Sequence, residues 1–141
     1  SLVQAAGKLE GQAGQQAEGE KVFEAVQEED KEKEAIFENV RKEYYPNLPS
    51  RMGALFLFPN LETAKKANQI WWNNGRDLYE ASILKESTTM IVDSQWLNCQ
   101  PKDYEENAHK YFRQLQTDNP ILEIVIKGRV KVSSEPVVIC R

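Results

Sequence analysis

Glu123 and Arg51 are the residues of this chain whose neighbours suggest chemistry. Glu123 lies in PILEIVIKGRVKV, where strand alternation puts Ile121, Glu123, Val125 and Lys127 on one face and Leu122, Ile124 and Ile126 on the other. A carboxylate so placed either stands solvated on a half-exposed sheet face, paired with Lys127, or points into a cleft. In a cleft, desolvation would raise its pKa and its charge would act strongly on a developing cation. Arg51 follows Ser50 in LPSRMGALFLF, at the start of an apolar run. A guanidinium there can grip a phosphate or carboxylate bidentately, cap a helix C-terminus, or pair with an acidic residue of the preceding helix.

Other chemistries find little support. His109 is the single histidine and sits between Ala108 and Lys110 in a helical stretch, with no Ser or Cys in an activating setting, which argues against a hydrolase triad. Cys99 and Cys140 lack Cys or His neighbours at metal-ligand spacing, so neither zinc nor a disulfide framework is indicated. Trp71, Trp72, Trp96, Tyr111 and Phe112 are read as core or cleft wall rather than a stacking platform.

The elements that must position Glu123 and Arg51 follow from hydrophobic period and breakers. KEKEAIFENVRKEY, residues 31–44, spaces Ile36, Phe37, Val40 and Tyr44 as an amphipathic helix. Before it, KVFEAV fits a short edge strand or a helical turn equally. Pro46 and Pro49 break the helix, ALFLF reads as a strand buried on both faces, and Asn60 caps a second helix running through Asn74 to Gly75. LYEASIL and TTMIV read as strands joined by KES as a hairpin, with Tyr79, Ala81 and Ile83 on one face of the first. Trp96 falls in a turn or broken strand, and KDYEENAHKYFRQL resumes helical spacing. PILEIVIKGRVKV is the strongest strand signal, and PVVIC a last strand. The expected fold class is α+β: a single domain of mixed, mainly antiparallel sheets with about three helices.

At 141 residues with 40% hydrophobic content the chain suits one domain. Residues 1–20, with four of the seven glycines and no aromatic residue, read as a flexible leader to a domain over 21–141. A leader of this kind, with a first residue other than Met, is what a domain cut from a longer polypeptide presents. No apolar run approaches a membrane span and no signal peptide is seen, so no membrane partner is expected. Residues 1–45 carry six Lys and Arg against eleven Asp and Glu, and residues 46–141 twelve against eleven. Without a basic stripe to displace counterions from phosphates, sequence-specific DNA binding is not expected.

Three groups of residues carry a resemblance. FENVRKEYYPNLPSRMGALFLFPNLETAKKA, then LYEASI with DSQWL, and finally HKYF with LEIVIKGRVKV resemble, over roughly residues 34–132, a bacterial and phage family of formerly unknown function. That family is placed in the ADP-ribosyltransferase-like superfamily. The shared order is an acidic amphipathic helix, a Pro-Ser-Arg turn, a small-apolar strand, an Ala-rich helix, an aromatic pair and a late strand with Glu before Gly.

The resemblance implies an ADP-ribosyltransferase-like fold with NAD, as substrate, in a cleft between two sheets. It makes Glu123 the catalytic carboxylate. It also makes Phe56 the residue against the nicotinamide ring, with Ser50 and Arg51 at the cleft mouth holding the NAD phosphates or ribose. The implied activity is transfer of ADP-ribose to a protein or RNA acceptor by a toxin or effector domain, cytoplasmic or delivered into a target cell. An immunity or inhibitor protein is among the implied partners. The alternative is a catalytically silent interaction module, and simple NAD hydrolysis is a third reading. The chain departs from the superfamily pattern in two places: no His precedes His109 and no Arg precedes Arg41, and Phe rather than Tyr stands at position 56.

Overall fold

The computed structural model describes residues 2–6, by their backbone alone, and 31–137. Among them are three α-helices, α1 (Lys31–Tyr44), α2 (Leu61–Trp72) and α3 (Tyr104–Phe112). The strands are β1 (Leu2–Ala6), β2 (Leu55–Leu57), β3 (Asp77–Ile83), β4 (Thr88–Asp93), β5 (Leu122–Lys127) and β6 (Val130–Val132). They form two antiparallel three-stranded sheets, one in the order β1-β3-β6 and the other β2-β5-β4. The α+β class follows, with three helices as expected.

Both faces of the β2-β5-β4 sheet are covered. Leu55, Leu57, Ile124 and Ile126 pack on Ala81, Ile83, Val130 and Val132 of the other sheet. On the opposite face, Met90, Val92 and Val125 cluster with Phe37 and Val40 of α1 and Ala108, Tyr111 and Phe112 of α3. Helix α2 lies against a separate cluster, its Ala64 and Ala67 buried with Phe58, Leu78 and Ile121. The apolar run of β2 is thus buried on both sides, which explains its lack of alternation.

Local chemistry sets the helix ends. Glu32 and Glu34 in the first turn of α1 and Arg41 and Lys42 in the last complement the helix dipole. Asn60 caps α2 by accepting a hydrogen bond from the Thr63 N–H at 2.8 Å. Helix α2 ends earlier than Gly75, because Asn73 and Asn74 both take left-handed φ, 51° and 63°, which Asn tolerates better than most residues.

Four expectations need correction. β3 and β4 do not form a hairpin: KES carries the chain from one sheet to the other, and β4 pairs with β5 instead. PILEIVIKGRVKV is two strands in different sheets, divided at Gly128, whose φ of 150° only glycine adopts readily. Tyr44 is exposed; the buried stripe of α1 is Glu34, Phe37 and Val40. Leu2–Ala6, expected within a flexible leader, pairs along β3, whose open edge supplies the ladder that its own composition did not announce. The rest of the leader and KVFEAV lie outside the described residues, as does most of PVVIC. Its Pro136 and Val137 are not in a strand, although the Val137 N–H donates to the Leu78 carbonyl at 2.6 Å.

Candidate functional site

The i, i+3, i+6 spacing that buries Phe37 and Val40 carries Glu34 onto the same stripe of α1 and sends its carboxylate inward, where it is 3% exposed. Facing it, Arg51 comes in from the turn that leads to β2 and is 7% exposed. Arg51 Nε donates to both Glu34 oxygens, at 3.1 and 3.0 Å, and Nη2 donates to Oε1 at 2.9 Å. Nη1 donates to the Tyr111 hydroxyl of α3 at 2.8 Å. The guanidinium carbon also sits 5.0 Å from the Phe56 ring centroid and 5.6 Å from that of Tyr111. One cation therefore joins α1, β2 and α3.

Strand register brings Glu123 to this cluster. Val92 faces Glu123, Met90 faces Val125, and Val125 also faces Phe56. Glu123 and Phe56 therefore share the helix-covered face of their sheet. Glu123 is half-buried and makes no hydrogen bond or ion pair with another described side chain. Burial pushes its carboxyl up to about 7; the Arg51 charge opposes that rise and Glu34 adds to it. Burial also raises the Tyr111 hydroxyl, against the pull of Arg51. For Arg51, burial works against the charge, but Tyr111, Glu34 and Glu123 outweigh it and hold the guanidinium above its ordinary value.

The charge balance defines what this arrangement can do. Counting the described residues, Arg51 offsets one of the two carboxylates, so these three side chains sum to zero with Glu123 protonated and to an excess negative charge with Glu123 ionised. Such a site takes up a proton or stabilises a positive centre beside Glu123.

Of the residues expected to act together, Glu123, Phe56 and Arg51 meet on one face. Arg51 is built into the core rather than set at a cleft mouth, and the acidic partner from the preceding helix is Glu34. Ser50 is buried too: its Oγ donates to Glu38 at 2.8 Å and accepts from the Met52 N–H at 3.0 Å. Glu38 is shared with Arg41, and these bonds hold its carboxyl low despite the opposing effect of burial. The resemblance implied a cleft between sheets. Here the described space between the sheets is filled by Leu55, Leu57, Ala81, Ile124 and Ile126, and Glu123 faces the helices instead. Lys127 is exposed and makes no ion pair with Glu123.

Two members of the cluster, Glu34 and the Tyr111 hydroxyl, escaped the reading of the sequence. The signal for Glu34 was its phase with Phe37 and Val40. Among the described residues, no group of three or more His, Cys, Asp and Glu side chains could hold a metal ion, and no helix is long and apolar enough to cross a membrane.

A family model described as "Protein of unknown function (DUF2441)" matches residues 6–137, and the chain belongs to that family. No curated protein matches it.

Proposed function

We propose that this DUF2441 domain transfers ADP-ribose from NAD to a protein or RNA acceptor, with Glu123 as the catalytic carboxylate. The observation that carries this reading is the Glu123 side chain itself. It is half-buried on a late strand, its carboxyl is pushed up to about 7 by burial, and it has no hydrogen-bond partner among the described side chains. In the reaction, the bond between nicotinamide and ribose C1′ breaks and its electron pair leaves with the nicotinamide. The ribose is left with oxocarbenium character, and the ionised Glu123 is a negative charge in a desolvated setting to stabilise it. An acceptor nucleophile then bonds C1′ and gives up its proton. Phe56, on the same face, is an apolar surface for the nicotinamide ring. Arg51, held by Glu34 and Tyr111, serves as a positioning residue rather than as the grip on the NAD phosphates.

One observation favours the second reading, a silent interaction module: Arg51 spends its hydrogen bonds to Glu34 and Tyr111 on tying the fold together. Nicotinamide release by the purified domain separates the two. Under the enzymatic reading, Glu123→Gln keeps the shape and NAD affinity while turnover falls on the order of 10²-fold or more. Equal rates in the two folded proteins would refute the catalytic assignment.

A further inference from the structure

A buried arginine near two carboxylates can serve either, and among the described hydrogen bonds Arg51 serves Glu34. Three hydrogen bonds of 2.9 to 3.1 Å run from Arg51 to Glu34, and Nη1 donates to the Tyr111 hydroxyl at 2.8 Å. We propose that Glu34 is a positioning residue for Glu123. By holding Arg51 it withholds the guanidinium from the second carboxylate, which forms no ion pair with any of the described residues and is set to meet a cationic ligand or transition state.

Among the described residues, the titratable and charged groups that act on Glu123 are Glu34 from α1, Arg51 from the turn before β2, and Tyr111 from α3. Across the sheet its neighbour on β4 is the uncharged Val92. A full ion pair with Arg51 would hold Glu123 ionised well below neutral pH, as a carboxylate beside a guanidinium ordinarily is. The opposite direction of its shift agrees with a guanidinium already committed to Glu34.

This inference deepens the proposed catalytic reading and rests on it for its relevance to turnover, but its test needs no NAD. The Glu123 carboxyl is titrated by ¹³C NMR in the full chain and in Glu34→Gln, which keeps the shape of the side chain and removes its charge. The expected result is a fall in the Glu123 pKa of about one unit or more, as the repelling Glu34 charge is lost and Arg51 is released toward Glu123. A change smaller than about half a unit overturns the proposal.

Should Glu34→Gln fail to fold, the double variant Glu34→Leu with Arg51→Met replaces the ion pair by apolar residues of similar size, an exchange that folds commonly tolerate. Because the pair is nearly neutral as seen from Glu123, the pKa is expected to stay within about half a unit of wild type. A rise of about one unit or more would show that Arg51 had been serving Glu123, and would overturn the proposal. Tyr111→Phe, which removes a hydroxyl but no charge, separates a structural effect from an electrostatic one: a shift as large as that of Glu34→Gln also overturns it. Absence of nicotinamide release by wild type would refute the catalytic reading and leave these titrations to stand by themselves.

Discussion

Replacing Glu123 by Gln removes a titration from the core, and the consequence for stability can be worked out from its environment. The carboxyl titrates at about 7 in the fold against an ordinary value of 4.5. Below the lower value both folded and unfolded chains hold the proton, and the carboxyl contributes no pH dependence. Between the two values the unfolded chain has lost the proton while the folded chain keeps it, so wild-type stability falls as pH rises. Above the folded value the loss is complete. At 1.36 kcal/mol per pH unit, the interval corresponds to about 3 kcal/mol. Glu123→Gln carries no such titration, so urea-unfolding free energies of the two proteins should diverge between about pH 4.5 and pH 8. The variant ends about 3 kcal/mol more stable than it stood relative to wild type in acid. Any fixed effect of the amide shifts the whole curve and leaves the divergence intact. Parallel stability curves across that range would refute the reasoning, since they would mean that Glu123 ionises in the fold as it does in water.

Two further substitutions probe what holds the site in place. Arg51→Ala strands the buried Glu34 carboxylate and the Tyr111 hydroxyl and should cost about 3–5 kcal/mol by denaturant unfolding, a cost typical of breaking a buried ion pair. A loss under about 1 kcal/mol would show that water reaches the pair. Gly128→Ala should cost about 1–3 kcal/mol, because φ is 150° there and an added Cβ would lie 2.7 Å from the Ser87 Cα; an unchanged melting temperature would refute the close approach.

What the sequence made legible was local. The charge order of residues 31–44 and the Asn60 cap are written in the residues that form them, and both helices start where those signals stand. The face of Glu123 was also legible, since alternation needs only the strand itself. Partners were not. LYEASIL and TTMIV carry the marks of two strands, but whether a three-residue link folds them together or sends them to different sheets is decided by distant residues: β6 for the first and β5 for the second. PILEIVIKGRVKV reads as one strand signal, and Gly128 within it is the corner between sheets. Arg51 allowed three roles from sequence, and the choice depended on Glu34, whose inward direction shows only when its phase with Phe37 and Val40 is weighed above its charge.

The strand order also bears on how the chain reaches its fold. Among the described strands neither sheet contains a hairpin. β2 waits for β5, β4 is joined to β5 only after α3 has intervened, and β3 pairs with β1 far before it and β6 far after it. The centre of the β2-β5-β4 sheet is the fifth strand in chain order, so nothing made before Leu122 can assemble that sheet. Loop closure must therefore precede most of the stabilising contacts, which places the domain among slow folders of high contact order. During synthesis the described partner of the apolar segment around Leu55 and Leu57 is made only about seventy residues later, and a chain truncated before β5 would leave that segment prone to association with other chains.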